Sequence, residues 1–374
     1  MSIIRGSAME FIRNFDYMSK EEKTCMYLIN MRPVLNSRGL FHDCTEEYRN
    51  PSEPDKNTDV FIKFRTVKNN ADKVGIVTDG VYTPMKKTSY DSRFDYYTTT
   101  VHVGETQFRY YFEVVTGRAT VYFNQLGAMT ELNQDYDFAI NPGFKTPGWV
   151  KGAVIYQIYV DRFYNGDKSN DVVDHEYNYI GEHVNRVENW DKYPATMGVR
   201  EFYGGDLEGV IQKLDLGIQC IYFNPLFVSP SNHKYDIQDY DYIDPHFGKI
   251  VEDGGDVLPE GVWDNSKATK YIKRVTSLAN LEASNELFAH LVDEAHKRGI
   301  KVIIDGVFNH CGSFNKWLDR ERIYENSNDF EKGAYVSADS PYKDFFQFND
   351  MGAWPYNGTY NGWWGHDTLP KLNY

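Results

Sequence analysis

The sequence predicts two unlike parts, an all-β domain followed by a parallel α/β domain. The first observation is a series of strand-like segments between residues 40 and 126, with no helical pattern between them. The second is a change after residue 150, where continuous apolar runs alternate with amphipathic segments. Closely spaced strands indicate a β-sandwich. A strand–helix–strand order indicates βαβ units, either in an open sheet or in part of a barrel.

Four segments carry the β-sandwich prediction. VFIKFRTV (residues 60–67) and FDYYTTTVHV (Phe94–Val103) alternate apolar and polar residues, as half-buried strands do. DKVGIVTDG ends in an Asp-Gly turn, and FRYYFEVV is separated from ATVYFNQ by Thr116-Gly117-Arg118, which predicts a hairpin. We therefore divide this part of the chain into an unassigned segment of mixed charge (1–35), the β-sandwich (36–140) and a Pro- and Gly-rich linker (141–151).

Three apolar runs predict parallel strands that are buried on both faces: GAVIYQIYV (152–160), IQCIYFN (218–224) and IKVIIDGVF (300–308). Asp206 is expected to begin a short helix that ends at Gly217. Ser284 is expected to cap a second helix that ends at Gly299. Residues 250–283 are too long for an ordinary connection, which predicts an insertion over one end of the sheet.

Charge and composition argue against several classes of partner. Lys and Arg number 40 against 54 Asp and Glu, a formal net charge of −14. Nucleic acid and membrane surfaces are therefore not the expected partners, because both need a basic surface. The absence of a signal-peptide pattern and the four widely spaced Cys predict a reduced, cytoplasmic location. The 16% aromatic content suits either a sugar-binding surface or simply a β-rich core.

A cluster of oxygen-bearing residues follows the first α/β strand. DRFYNGDKSND and the later YGGD together offer six candidate metal ligands: Asn165, Asp167, Asn170, Asp171, Gly204 and Asp206. Calcium takes six to eight oxygen ligands of this kind. The alternative is an ordinary polar turn, because Asn, Gly and Asp are also the common turn residues.

Two further segments could contact a ligand. DGVFNH places Asp305, Asn309 and His310 at the carboxyl end of the third strand, where functional residues of parallel α/β folds collect. Alternatively, Asp305 caps the next loop and His310 is a surface residue. The segment HKYDIQDYDYIDPHFG follows the second strand. In this segment tyrosine rings alternate with carboxylates, at Tyr235, Asp236, Asp239 and Tyr240. This pattern is typical of a loop that lines a sugar site. The alternative is a solvated loop held by tyrosine packing.

In their order, these motifs resemble the α-amylase family of glycoside hydrolases, family thirteen. The motifs are IYQIYVDRFYNGD, FYGGDLEGV, IYFNPLF, HKYDIQDY, DPHFG, DGVFNH and LPKLNY. Within the family the chain is most similar to the neopullulanase, cyclomaltodextrinase and maltogenic amylase group, which carries a β-sandwich ahead of the barrel. Lys371 of the LPKLN motif marks this subgroup, since relatives of other specificity carry Asp there. The resemblance covers residues 40–374.

The resemblance implies a (β/α)₈ TIM barrel. Residues 152–310 would supply its first three strands, and residues 311–374 a small domain inserted after strand three. Tyr235 would stack on the sugar at the scissile subsite, and His310 would bind that sugar. Asp305 would be the strand-three carboxylate that orients the catalytic groups.

The resemblance also implies calcium as a cofactor. The six oxygen-bearing residues match the calcium loop of part of this group. Asn309 is a calcium ligand in many family members, at a second site. Because Lys371 replaces a carboxylate of that second site, we expect it to be empty.

The implied reaction is retaining hydrolysis of α-1,4 glucosidic bonds in starch-derived oligosaccharides, pullulan or cyclodextrins. Whether α-1,6 bonds are also cleaved is an open alternative. The reaction needs a nucleophile and an acid/base carboxylate about 5–5.5 Å apart, which the family carries on strands four and five. No G-x-R-x-D motif for the nucleophile occurs, so no catalytic residue is assigned. We expect an N-terminal portion of a longer enzyme, inactive alone.

The alternative is a non-catalytic carbohydrate-binding protein or fragment. The expected ligand in either case is an α-glucan oligosaccharide. The protein partner would be a second copy, joined through the N-terminal sandwich, or the missing C-terminal portion.

Overall fold

The computed structural model describes residues 17–24, 35–117, 119–350, 352–357 and 359–373. The chain divides into two compact units, Met1–Lys151 and Gly152–Tyr374. Of the unassigned N-terminal segment, only residues 17–24 and residue 35 are described, and residues 20–24 are helical. The rest of that segment lies outside the described residues.

The first unit is a β-sandwich, as predicted. Its described strands are β1 (Arg49–Asn50), β2 (Thr58–Val67), β3 (Lys73–Thr78), β4 (Val81–Pro84), β5 (Lys86–Tyr90), β6 (Phe94–Val103), β7 (Phe108–Thr116), β8 (Ala119–Asn124), β9 (Gly127–Met129) and β10 (Phe138–Ile140). One sheet has the order β1-β2-β6-β5, and the other has β4-β3-β7-β8-β9 with β10 beside β7. All neighbours are antiparallel, and Thr116 pairs with Ala119, which confirms the predicted hairpin.

Alternation along the strands builds the core between the two sheets. Every second side chain of the central strands points inward, so the apolar residues of one face collect there. Two strands supply the fully buried centre, with the residues Val60, Ile62, Phe64, Tyr110, Phe112 and Val114. The two-residue period that predicted these strands is therefore the same period that fills the core.

The second unit contains a three-stranded parallel sheet. The described strands of the whole second unit are β11 (Ile155–Ile158), β12 (Asn178–Tyr179), β13 (Glu182–His183), β14 (Asn185–Arg186), β15 (Glu201–Phe202), β16 (Cys220–Phe223), β17 (Phe227–Val228), β18 (Asp239–Ile243) and β19 (Lys301–Ile304). The α-helices of this unit are α1 (Leu207–Gln212), α2 (Thr269–Thr276) and α3 (Leu278–Lys297). The order β11-β16-β19, parallel throughout, confirms the predicted βαβ units. Ile158, Phe223 and Ile304 are in register, so the loops that follow the three strands leave from the same edge of the sheet.

The prediction that these strands are buried on both faces is wrong. Ile158 and Phe223 pack with residues of α1 and α3 in one core cluster. Ile155 is 47% exposed, Tyr156 43% and Ile304 36%. These exposed side chains lie on β11 and β19, the two outer strands of the three-stranded sheet, so the outer strands remain in contact with solvent.

The predicted helix after Asp206 begins as expected and ends early. Oδ1 of Asp206 accepts the Gly209 N–H at 2.6 Å, which confirms the N-terminal cap. The helix α1 stops at Gln212, because Lys213 already has a non-helical backbone. Gly217, with φ +67°, lies in the turn beyond.

Ser284 does not cap a helix. It lies inside the 20-residue helix α3, where its hydroxyl donates to the carbonyl of Asn280 at 2.7 Å. A serine can satisfy itself in this way inside a helix, so the residue type alone was a misleading signal. The predicted end is right: α3 ends at Lys297, and Gly299 follows with φ +74°.

The predicted insertion 250–283 contains α2 and the first turns of α3. No helix among the described residues is both long enough and apolar enough to cross a membrane.

Candidate functional site

Side chains from the loops after β16 and β19 meet beyond the carboxyl edge of the parallel sheet. The Tyr235 hydroxyl donates to Oδ2 of Asp305 at 2.9 Å. The Tyr235 backbone acts on the His310 imidazole and raises its pKa. Residues predicted from two separate motifs are thus brought together, with one direct hydrogen bond between Tyr235 and Asp305.

His310 is held from several sides and is only 9% exposed. Its ring stacks on Trp363 with centroids 6.0 Å apart, and the Asn309 side-chain amide lies 2.8 Å from its Nδ1. Burial lowers the pKa of His310, against the raising effects of Asp236 and the Tyr235 backbone. A neutral imidazole can donate one hydrogen bond and accept another, as a sugar hydroxyl requires.

The LPKLN segment lies beside the DGVFNH segment. His310 forms an isolated antiparallel bridge with Lys371, and the Leu372 N–H donates to the Asn309 carbonyl at 3.3 Å. This pairing brings the motif that marks the subgroup next to the candidate sugar-binding histidine.

Asp305 accepts hydrogen bonds from two phenols. Burial, together with Asp305, raises the pKa of Tyr235 to about 12. A hydrogen bond to the same carboxylate raises the pKa of Tyr222, a residue of β16. The sequence analysis missed Tyr222; its signal was a tyrosine one position before the end of the second parallel strand.

The alternating carboxylates after β16 do not line a ligand surface, contrary to that interpretation. Asp236 is 1% exposed and accepts the hydroxyls of Ser229, at 2.7 Å, and Ser231. Asp239 is fully buried against the Lys316 ammonium at 2.7 Å. The solvated-loop alternative is also wrong, because hydroxyl and ammonium partners hold both carboxylates inside the protein.

Tyr240 stabilises the neighbouring backbone through its hydroxyl rather than lining a ligand surface. Its hydroxyl donates to the carbonyls of Val307 at 2.7 Å and His310 at 2.8 Å. Its ring stacks on Trp317, with centroids 5.1 Å apart. These contacts fix the backbone that presents the His310 side chain.

A chain of buried charges lies beneath the Tyr235 loop. The Lys234 ammonium, 1% exposed, lies 2.6 Å from Asp244. His246 contacts Asp244 at 2.9 Å and Glu176 at 2.8 Å, and Arg274 donates to Glu176 at 2.9 Å. Burial alone would lower the pKa of His246, but the two carboxylates raise it overall, which favours the charged imidazolium. Alternating signs allow these charges to remain buried.

The structure brings the predicted metal-loop residues together. Gly204 has φ +80°, and a Cβ there would lie 2.4 Å from Oδ1 of Asp171 and 2.6 Å from Nδ2 of Asn165, so the close approach requires glycine. Nδ2 of Asn165 donates to Asp171 at 2.7 Å, and Nδ2 of Asn170 donates to the Gly248 carbonyl at 2.9 Å. Within the part of the chain that the structure describes, neither of these buried amide oxygens has a hydrogen-bond partner.

The three loop carboxylates already have partners. Asp206 accepts three backbone N–H groups, and burial raises its pKa to about 6. Oδ2 of Asp167 lies 2.9 Å from the Lys249 ammonium, and Oδ2 of Asp171 lies 2.8 Å from the Arg186 guanidinium. Among the described residues no group of three or more His, Cys, Asp or Glu side chains could hold a metal.

A metal here would therefore need the amide oxygens of Asn165 and Asn170. Buried oxygens of this kind are almost always paired in native structures, and both suit a hard cation. By donor chemistry the loop fits calcium.

The fold and the strand-end site define a parallel α/β catalytic domain preceded by an immunoglobulin-like sandwich. Residues 157–254 and 270–371 match the family described as "Alpha amylase, catalytic domain". Residues 36–145 match the family described as "Alpha amylase, N-terminal ig-like domain". The chain belongs to the α-amylase family, as its motifs predict.

Relatives with known activities support this placement. The chain is 33% identical over 317 residues to an amylopullulanase of Thermoanaerobacter thermohydrosulfuricus, covering 76% of this chain and 18% of the relative. It is 31% identical over 332 residues to neopullulanase 2 of Thermoactinomyces vulgaris, covering 83% and 46%. It is 31% identical over 339 residues to a cyclomaltodextrinase of a Bacillus species, covering 84% and 50%. The chain thus spans half or less of the length of these relatives.

A solved structure, the type III pullulan hydrolase from Thermococcus kodakarensis, is 25% identical with a TM-score of 0.48, covering 89% of this chain and 51% of that one.

Proposed function

We propose that this chain contributes the sugar-binding part of the active site of an α-amylase-type glycoside hydrolase. The reaction is retaining cleavage of α-1,4 glucosidic bonds, with α-1,6 bonds as a further substrate linkage. The single observation that carries the proposal is the meeting of Tyr235, His310 and Asp305 at the strand ends, where Tyr235 donates to Asp305 and its backbone raises the pKa of His310. The names of the relatives, amylopullulanase, neopullulanase and cyclomaltodextrinase, support starch-derived oligosaccharides, pullulan or cyclodextrins as substrates.

Each of the three residues offers chemistry that a glucose ring needs. A pyranose has an apolar face and a rim of hydroxyls, and the Tyr235 ring offers an apolar surface with a polar edge. Because Nδ1 of His310 lies 2.8 Å from the Asn309 amide, the neutral imidazole offers its other ring nitrogen, Nε2, at that edge. Asp305 fixes the tyrosine through its hydroxyl, so the two ligand-facing groups keep their spacing without a bound sugar.

Binding and turnover test the proposal separately. We expect the purified 374-residue chain to bind maltohexaose in saturation-transfer NMR. We expect Tyr235→Ala and His310→Ala to abolish the signal, while Tyr136→Ala, an exposed tyrosine of the first unit, leaves it unchanged. Because no motif for the nucleophile occurs, reducing-sugar release from pullulan should be absent. Binding retained in both site variants, or turnover like that of a full enzyme, would contradict this account.

We also propose calcium as the occupant of the loop formed by Asn165, Asp167, Asn170, Asp171, Gly204 and Asp206. The support is the two buried amide oxygens without partners and the carboxylates beside them. When bound, calcium would supply a fixed positive charge that ties the loop after β11 to the start of α1. Adding calcium to chelator-treated protein should raise the melting temperature by mass action, and Asn165→Ala should remove that increase. No increase in the unmodified chain would refute the site.

A cytoplasmic location is part of the proposal. Cys44, Cys220 and Cys311 are free thiols, as expected of a reducing compartment. The homodimer through the sandwich stays a prediction, and light scattering on the purified chain tests it.

A second function, sugar binding without cleavage, is favoured by a cavity in the first unit. This cavity of about 350 Å³ is lined in part by Arg109, Tyr111 and Asp137. The Arg109 guanidinium is fixed by the carbonyls of Gln134 at 2.7 Å and Asp135 at 3.1 Å. A ring beside a fixed guanidinium and a carboxylate can receive a neutral sugar. Maltohexaose binding that is lost in Tyr111→Ala, but kept in Tyr235→Ala, would favour this function over the first.

A further inference from the structure

In the candidate calcium loop, the carboxylate of Asp167 already forms an ion pair with a basic side chain, Lys249. The Lys249 ammonium lies 2.9 Å from Oδ2 of Asp167 and 3.6 Å from Oε2 of Glu208. Oδ1 of Asp167 is engaged separately, since it accepts the N–H of Ser169 at 3.0 Å and its hydroxyl at 2.6 Å. Lys249 therefore neutralises the oxygen of Asp167 that Ser169 leaves available.

The position of Lys249 is built into the fold. Ser284, inside α3, accepts the Lys249 N–H at 3.0 Å through its hydroxyl oxygen, while its proton is donated to the Asn280 carbonyl. The preceding residue, Gly248, packs so tightly that a Cβ there would lie 2.3 Å from the Ser284 side chain. The Gly248 carbonyl also orients the candidate ligand Asn170. The backbone of Gly248 and Lys249 thus orients the side-chain amide of Asn170, a candidate metal ligand, and also carries the Lys249 ammonium that would compete with the metal.

We propose that Lys249 is a built-in counter-cation of this loop, which keeps the loop folded without metal and weakens its affinity for calcium. The inference rests on the calcium site proposed above and extends it to the regulation of that site. With calcium absent, the ammonium offsets the negative charge of Asp167. If Asp167 held calcium, the same ammonium would lie close to a divalent cation and would repel it.

The two effects of removing this charge have opposite signs, which separates the proposal from a purely structural role. In Lys249→Met, the metal-free protein should melt at a lower temperature, because Asp167 loses its partner. Calcium should bind about tenfold more tightly, the size expected when a unit charge a few ångström from a divalent ion is removed in a partly exposed site. The rise in melting temperature at saturating calcium should therefore be larger in the variant than in the unmodified chain.

The test is calorimetric titration of the chelator-treated full chain with calcium chloride, together with thermal melts. Lys249→Arg keeps the charge and should keep the unmodified affinity. Lys270→Met is the matched control, because it removes a lysine of the insertion 250–283 that pairs with Asp253 at 3.0 Å and not with the loop. Lys249→Gln replaces Lys249→Met if circular dichroism shows that the methionine variant is unfolded.

The outcomes are distinct. Tighter calcium binding in Lys249→Met, with unchanged binding in Lys249→Arg and Lys270→Met, supports the proposal. Calcium binding by the unmodified chain with equal or weaker binding in Lys249→Met overturns this inference and leaves the calcium site standing. No calcium binding by either protein overturns both.

Discussion

The two units of this chain bury different kinds of side chain. The core of the sandwich is a continuous apolar cluster of strand residues, with His42 enclosed among its aromatic rings. The α/β unit also has apolar cores, but it adds a connected set of fully buried charges around Glu176, Asp244 and His246. That set lies under the loop that carries Tyr235.

The difference indicates how each unit is held in one shape. A continuous apolar cluster forms the core of the sandwich, whose strands repeat a simple pattern, and the buried Asp95 carboxylate pairs with Lys87 at 2.7 Å. Long irregular loops lack such a pattern, and the α/β unit fixes them through ion pairs that tolerate only one arrangement. In the α/β unit, buried charge therefore lies where irregular loops must hold a precise geometry.

The largest expected effect comes from breaking the buried charge set. Glu176→Ala leaves the His246 imidazolium and the Arg274 guanidinium without their shared partner, so the free energy of unfolding should fall by about 3–5 kcal/mol. Urea denaturation measures it. Glu182→Ala is the control, since Glu182 is 68% exposed in its pair with Arg200 and should cost about 0–1 kcal/mol. Equal effects of the two substitutions would contradict the comparison.

The sandwich should lose stability toward acid through His42. Its ring nitrogens contact the Lys63 carbonyl at 2.8 Å and the Tyr110 hydroxyl at 2.9 Å, and burial lowers its pKa to about 4. Between the unfolded pKa of about 6.5 and the folded value, the unfolded state binds the extra proton, so stability falls as pH falls. At about 1.4 kcal/mol per pH unit, the loss approaches about 3 kcal/mol.

Unfolding free energies of the unmodified chain and His42→Gln, at pH 7 and pH 4.5, measure this loss. The glutamine variant should show a shallower dependence on pH. A dependence as steep as that of the unmodified chain would exclude His42 as its cause.

The α/β unit should show the opposite dependence through Asp319. This carboxyl is fully buried, its Oδ2 has no hydrogen-bond partner among the described residues, and burial raises its pKa to about 8. Above the unfolded pKa of about 3.9, the folded state holds the extra proton, so stability falls as pH rises toward 8. Between pH 6 and pH 8 the loss should be about 2 kcal/mol.

Thermal melts of the unmodified chain and Asp319→Asn across this range test the assignment. The asparagine variant should melt at a nearly constant temperature. A decline as steep as in the unmodified chain would assign the alkaline loss to another group.

The sequence predicted these elements unevenly, for physical reasons. Strand β6 is found at the bounds that its alternation predicts, because a two-residue period specifies one buried face. The Asp206 cap was predictable because capping is a local interaction. The misplaced Ser284 cap and the exposed Ile155 were not, since both depend on which distant elements pack nearby.

The candidate site shows the same division. Its strand-end residues Asp305, Asn309 and His310 could be found from motif position alone. The influence of Asp305 on Tyr222 and the Lys249–Asp167 ion pair could not, because each joins residues that are far apart in sequence.

The smallest expected change in the free energy of unfolding concerns the hydrogen bond between Tyr235 and Asp305 in the candidate site. Tyr235→Phe removes the hydroxyl that donates to Asp305 and keeps the ring, so the free energy of unfolding should fall by about 0.5–1.5 kcal/mol. Urea denaturation measures this change, and maltohexaose affinity is measured on the same sample. A loss of unfolding free energy as large as that of Glu176→Ala would mean that this hydroxyl stabilises the fold as the buried charge set does, rather than serving the ligand surface.

Hydrogen–deuterium exchange with and without maltohexaose tests the central claim most directly, because it reads both units in one experiment. The account predicts slower exchange in residues 233–240 and 305–311 when the sugar is present, and little change in residues 108–137. Protection confined to residues 108–137, or no protection in either region at saturating sugar, would contradict the assignment of the sugar-binding site to the strand-end loops.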